Sequence, residues 1–159
     1  MLQAARGLGA VAVLAGGAVH LQQYIVQNIW FYPAIGALFL LNVIGSGVVG
    51  LALLAQLDRM LPARRANAAV TVLTATGLLI SIGSLVFLFI SESSSLFGFA
   101  ESGYRTPVVL AIIAEGATIL LLTPVLAASL TQASTGARSR GPEPPDAPGR
   151  RVVGLRPGK

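Results

Sequence analysis

Three apolar stretches, at residues 34–57, 67–91 and 107–130, restrict the folds open to this chain. Each exceeds about 20 residues, the length of α-helix that crosses a hydrocarbon core about 30 Å thick. A shorter apolar run begins a fourth segment of this kind, for which we predict a helix over about residues 7–28. The sequence therefore predicts an all-α transmembrane four-helix bundle.

Composition agrees with a membrane protein and excludes several kinds of chemistry. The 159 residues are 54% hydrophobic and 11% charged, whereas soluble domains are about 25% charged. The absence of cysteine excludes disulfides, thiolate metal sites and thiol nucleophiles. The isoelectric point near 10.8 would suit nucleic acid, but the basic residues lie at span ends and in a tail. We therefore expect no nucleic-acid partner.

The positions of lysine and arginine predict the orientation, because positive residues near span ends are retained in the cytoplasm. With the N-terminus inside, ten of the eleven basic residues are cytoplasmic and only Arg105 lies outside. We predict a multi-pass protein of the bacterial plasma (inner) membrane, with both termini cytoplasmic. Short connections between spans predict an up-down-up-down arrangement of the helices.

The two ends of the chain receive separate interpretations. Residues 131–159 contain many Pro and Gly, scattered Arg and no apolar periodicity, so we predict a disordered cytoplasmic tail. At the other end, Arg6, the apolar run after it and the small residues 16–18 also fit a cleaved signal peptide. A signal peptide is therefore the alternative to a first membrane span.

Polar residues follow the apolar run of the first span, in the sequence HLQQYIVQNIWFY at residues 20–32. The twelve apolar residues before them rise only about 18 Å, so the span must include residues up to about Gln27. At 100° per residue, His20, Gln23, Tyr24 and Gln27 share one face. Unsatisfied polar groups in hydrocarbon are costly, so we expect this face to point inward.

The other spans carry polar residues at a similar depth, about 9 to 14 Å below the outer surface. These are Asn42 in the second span, Ser81 and Ser84 in the third and Glu115 in the fourth. The predicted intramembrane polar cluster consists of Glu115, His20, Tyr24, Asn42, Gln23, Gln27 and Ser81.

Glu115 is the strongest functional candidate, because it lies in the sequence VVLAIIAEGATILLL without a charged neighbour. Ionisable residues inside a membrane are by default candidates for function. Glu115 either titrates in a mechanism or makes a structural bond to His20 or Asn42. As a haem ligand His20 would need a second axial ligand, and one His with one Glu is a poor metal site, so we predict no metal or cofactor.

Several short motifs together resemble a family. HLQQY, YPAIGALFLLN, LFGFAES and the acid in AIIAEGA resemble a group of uncharacterised small four-span integral membrane proteins of actinobacteria. The resemblance covers residues 8 to about 130 and excludes the tail. It implies four transmembrane helices and assigns no activity to any residue.

The sequence contains no nucleotide-binding loop, nucleophile constellation or metal motif, so we predict no enzyme. The leading hypothesis is a binding or accessory subunit that uses its polar cluster to bind a small ligand or a partner helix. Its partners would be the lipid bilayer and another membrane protein or a second copy of the chain. The alternative is a proton-linked protein, or one that handles a quinone or another small ligand, with Glu115 as the titrating group.

Overall fold

All regular structure in the described residues is helical. The computed structural model describes residues 1–94 and 105–138. Its four α-helices are α1 (Leu2–Val26), α2 (Pro33–Leu54), α3 (Ala63–Ser93) and α4 (Thr106–Arg138). All four contain a segment that is long and apolar enough to cross a membrane. The four helices predicted from the apolar runs are therefore confirmed.

The largest difference from the predicted boundaries is at the end of α4, which continues past residue 130 to Arg138. Residues 131–135 contain neither Gly nor Pro. The hydroxyl groups of Thr131, Ser134 and Thr135 donate to carbonyls three or four residues earlier, within the helix. The helix thus extends into the segment predicted as a tail, and residues 139–159 lie outside the described residues.

The connections from α1 to α2 and from α2 to α3 reverse the chain in the same way. Asn28 and Gln56 follow the ends of α1 and α2 with a φ of 53°, in the left-handed region that ends many helices. A single 3₁₀ turn follows each of them, Ile29–Phe31 and Leu57–Met60. The next helix then begins at Pro33 in one case and directly after Pro62 in the other. These short connections make consecutive helices antiparallel.

The helices form a ring in chain order. Helix α1 packs against α2 and α4, and α3 packs against α4 and more lightly against α2. Small residues bring α1 and α2 together: a Cβ added at Gly17 would lie 2.8 Å from the Cβ of Ser46. A Cβ added at Gly50 would lie 3.1 Å from the carbonyl oxygen of Ala10. Close approach through small residues is a principal means of association for helices in lipid.

An apolar layer crosses the middle of the bundle and separates two levels of polar residues. It contains the buried side chains of Ala10, Val13, Val49, Leu53, Leu78 and Leu122. Arg6 and Asp58 lie at one end of this layer, and His20 and Glu115 lie at the other. Large apolar side chains such as Leu79 and Leu120 face outward on the exposed surface. Such a surface suits hydrocarbon better than water.

Candidate functional site

His20 of α1 and Glu115 of α4 contact each other inside the bundle. The Nε2 atom of His20 lies 2.8 Å from Oε1 of Glu115, and the two residues are only 8% and 3% exposed. The last turns of α1 meet the first turns of α4 because these helices are antiparallel. The sequence places His20 and Glu115 at a similar depth, and the structure brings the two side chains into contact.

Ser84 of α3 is the third member of this contact, with its Oγ 2.9 Å from Nε2 of His20. An imidazole nitrogen carries either one hydrogen or one lone pair. The Nε2 atom therefore cannot donate to Glu115 and accept from Ser84 at the same time. It either shares one hydrogen between the two oxygens or accepts a hydrogen from one of them. Side chains from three helices therefore meet at this nitrogen.

Two polar atoms of the pair are left without a hydrogen-bond partner among the described residues. They are Nδ1 of His20 and Oε2 of Glu115, and both are buried. A net charge in hydrocarbon is costly, which favours the protonation states in which His20 and Glu115 together carry no net charge. In each such state, one of these two atoms is a free donor and the other a free acceptor. The pair thus retains the capacity for one donated and one accepted bond.

A cavity of about 190 Å³ lies beside this pair, and all four helices contribute to its lining. Most of the lining is apolar, and the ring of Phe39 meets the His20 imidazole edge-on, with centroids 5.1 Å apart. The polar lining residues are His20, Gln23, Asn42, Ser84, Ser91 and Glu115. An apolar cavity with a few convergent polar groups is the usual form of a small-molecule site.

The structure places the seven residues of the predicted cluster at two kinds of position. Four of them line the cavity: His20, Gln23, Asn42 and Glu115. Asn42 accepts a bond from Ser46, 3.1 Å away on the same helix, so this bond lies within α2. The other three, Tyr24, Gln27 and Ser81, are not among the residues that line it.

Each of these three residues lies away from the cavity for a local reason. The ring of Tyr24 packs edge-on against Trp30, with centroids 5.9 Å apart. Gln27 follows the end of α1 and accepts a bond of 3.1 Å from Arg105, near the start of α4. Ser81 is buried, but it precedes Ser84 by three residues, and positions so spaced differ by about 60° around a helix.

Sequence reasoning missed a second, mostly buried pair at the opposite end of the bundle. Arg6 donates to both carboxylate oxygens of Asp58, with Nη1 3.0 Å from Oδ2 and Nη2 in contact with Oδ1. The hydrogen bonds from Arg6 hold the pKa of the Asp58 carboxyl below its ordinary value. From sequence, Arg6 enters the predicted orientation and the signal-peptide alternative, and neither interpretation pairs it with Asp58. The signal was Asp58 itself, an acid in an otherwise basic connection.

The donor set gives little support for a metal centre. Among the described residues, no group of three His, Asp or Glu side chains lies close enough to hold a metal ion. His20 and Glu115 offer one nitrogen and two carboxylate oxygens, whereas metal sites in proteins take about three or four protein ligands. A neutral molecule that forms hydrogen bonds fits these residues better than an ion does.

Comparisons of the chain with protein-family models, with curated proteins and with solved structures give no match. The resemblance to small four-span proteins of actinobacteria therefore stays a prediction. A bundle of four helices is compatible with many functions, so function has to be inferred from the site itself. In the residues that it describes, the structure directly supports a bundle of four helices, each long and apolar enough to span a membrane.

Proposed function

We propose that this chain is a small integral membrane protein that binds a small, mostly apolar molecule in the cavity beside His20 and Glu115. The observation that carries the proposal is a buried hydrogen-bonding pair that borders an apolar cavity and keeps two polar atoms without a partner among the described residues. We place the Arg6 end of the bundle in the cytoplasm, on the basis of the basic residues. The cavity then lies in the outer half of the membrane.

The size of the cavity limits the ligand. An engineered cavity of about 150 Å³ in another protein binds benzene, so 190 Å³ has room for one ring with a short substituent. Drug-sized ligands occupy about 300 Å³ or more. The part of a ligand held between the helices is therefore small.

The alternative is that Glu115 and His20 only fix the helix register. A purely structural bond is best made in a closed, dry bundle, because unpaired polar atoms in an apolar surrounding cost about 1–3 kcal/mol each. Here the pair leaves two such atoms and borders a cavity. This arrangement favours a binding site over a register-fixing bond.

Binding of 4-ethylphenol and ethylbenzene to the protein in lipid nanodiscs tests the proposal. The two probes share one apolar body and differ by one hydroxyl group, which both donates and accepts. We expect 4-ethylphenol to bind about 3- to 10-fold more tightly at equal concentration in the bilayer, the effect of one hydrogen bond. Titration followed by ligand-observed NMR measures both dissociation constants.

The matched variants are Glu115→Met and Glu92→Met. Glu115→Met removes the carboxyl group at nearly constant volume, so we expect the preference for the hydroxyl group to disappear. Glu92 lies near the end of α3 and is not among the residues that line the cavity, so Glu92→Met should keep the preference. Equal binding of the two probes by the unsubstituted protein would refute the proposal.

A second candidate function is proton-linked transport or ligand handling, with Glu115 as the titrating group. The observation in its favour is the contact of 2.8 Å between a carboxyl and an imidazole, two groups that exchange protons readily in proteins. The apolar layer around Leu53, Leu78 and Leu122 lies between this pair and the opposite end of the bundle. Transport would therefore require a hydrated path to open through this layer.

Proteoliposomes with a pH-sensitive dye inside test this candidate. Proton flux that exceeds that of empty liposomes and is abolished by Glu115→Gln would support it. Flux equal to that of empty liposomes, with the protein folded, would leave ligand binding as the function of the pair.

A further inference from the structure

The exposed part of the cavity lining belongs to only two of the four helices. The lining residues of α1 and α4, among them Gln23, Val108 and Glu115, are all buried. By contrast, Leu41 of α2 is 66% exposed and Phe87 of α3 is 43% exposed. The cavity therefore meets the surface of the bundle on the side where α2 and α3 adjoin.

The packing of α2 and α3 agrees with an opening on this side. These two helices pack more lightly than any other neighbouring pair in the bundle. Gly83 of α3 also lines the cavity, and a Cβ added there would find no atom within 4 Å. A bulky residue at Gly83 would thus occupy open space instead of displacing a neighbour.

The opening lies at the depth of the hydrocarbon. Leu41 is eight residues from the start of α2, which corresponds to about 12 Å along the axis. Phe87 is six residues from the end of α3, about 9 Å along that helix. Because α2 has 22 residues, about 33 Å, it is only slightly longer than the hydrocarbon core is thick. The opening therefore faces acyl chains and not water.

Resting on the proposed binding function, we propose that the ligand is a neutral amphiphile dissolved in the bilayer, which reaches the cavity sideways between α2 and α3. Its small head carries a hydroxyl group and lies against the His20 and Glu115 pair. Its apolar tail leaves through the opening beside Leu41 and Phe87 and continues into the acyl chains. The small cavity is thus the site of a head group, and the ligand as a whole is longer.

Photolabelling of the full chain in nanodiscs with 4-alkylphenols tests this route. The probe has a nonyl chain with a diazirine at its far end, and mass spectrometry locates the adducts. We expect adducts concentrated on the outward faces of α2 and α3 near Leu41 and Phe87, and removed by excess 4-ethylphenol. Gly83→Leu should lower this labelling about tenfold, whereas Gly47→Leu should lower it less than about twofold. Gly47 also has open space around it but does not line the cavity.

The results of these experiments test the lateral route and the binding function independently. If 4-ethylphenol binds but the tail adducts lie on α1 and α4, or are spread evenly around the bundle, the lateral route is wrong and the site stands. Labelling of α2 and α3 that does not respond to 4-ethylphenol would also overturn the route. If neither probe binds, both the route and the proposed function are wrong.

Discussion

The bundle contains two pairs of a basic and an acidic side chain, and they differ in how completely they are satisfied. In the pair of Arg6 and Asp58, both carboxylate oxygens accept bonds from Arg6, and Nε of Arg6 is the one polar atom without a partner among the described residues. In the pair of His20 and Glu115, one contact is made, while Nδ1 and Oε2 have no partner in the described part of the chain. The two pairs are separated by about 21 Å along α1.

The two pairs also differ in their surroundings. Asp58 lies in the connection after α2, where its two bonds to Arg6 join the start of α1 to the end of α2. Glu115 lies within α4, beside an apolar cavity. Arg6 and Asp58 thus tie two helix ends together, whereas His20 and Glu115 keep the hydrogen-bonding capacity that the proposed ligand would use. Loss of the first pair should affect stability, and loss of the second should affect binding.

The largest effect on stability is expected for Asp58→Ala, which leaves Arg6 mostly buried without its carboxylate. Surface ion pairs contribute about 0–1 kcal/mol, and breaking a buried pair costs about 3–5 kcal/mol. Since Arg6 and Asp58 are 8% and 12% exposed and lie at the end of the bundle, we expect a loss of about 2 kcal/mol. Titration with a denaturing detergent measures the free energy of unfolding. Binding of 4-ethylphenol by the folded variant should be unchanged.

Acid should weaken the same pair by a smaller amount. The pKa of Asp58 is lowered from an ordinary value of 3.8 in the folded state, so the unfolded chain takes up its proton first. The contribution of Asp58 to stability is therefore fully present above about pH 4 and is lost as the pH falls through the folded pKa. Asp58→Asn should remove this part of the pH dependence. An identical acid profile for the variant would show that the pair does not contribute.

His20→Ala should have the opposite balance of effects. Glu115 then loses its bond to Nε2, which we expect to cost about 1 kcal/mol of unfolding free energy. Binding of 4-ethylphenol should fall by about tenfold, because the variant loses both an imidazole and the fixed position of Glu115. A variant that is less stable but binds 4-ethylphenol normally would show that His20, like Arg6, contributes to stability and not to binding.

The smallest effect is expected for Ser84→Ala. Hydrogen bonds between helices in membranes average about 0.6 kcal/mol in one protein studied by double-mutant cycles, and Ser84 contributes one such contact to Nε2. We expect a loss of about this size, measured by the same detergent titration. Ser93→Ala is the control, because among the described residues the Ser93 hydroxyl donates to the carbonyl of Ile90, one turn earlier in the exposed end of α3. It should cost less than Ser84→Ala does.

The number and approximate positions of the helices could be predicted because they depend on the length of apolar runs. The similar depth of His20 and Glu115 could be predicted because it follows from the rise per residue, whereas the choice of His20 over Asn42 as the partner of Glu115 could not. The end of α4 could not be predicted from apolar periodicity, since residues 131–135 are mostly polar but contain no helix breaker before Gly136.

The remaining details of the site depend on helix rotation and on side-chain packing. A rotation of α3 by about 60° about its axis decides whether Ser81 or Ser84 reaches His20. The apolar composition of the helix does not determine this rotation. Asn42 could form a hydrogen bond within α2 or with another helix, and in the structure its partner is Ser46, one turn later in α2. The cavity exists because four helices leave space between particular side chains, and no pattern along one helix encodes that space.

The central claim is that Glu115 belongs to a binding site rather than to a bond that only fixes the helices. The infrared difference spectrum of the protein in nanodiscs, with and without 4-ethylphenol, tests it at the carboxyl group itself. We expect a carboxyl band that shifts when the probe binds, disappears in Glu115→Gln and persists in Glu92→Gln. A spectrum without such a band, or with the same band in Glu115→Gln, would contradict the claim.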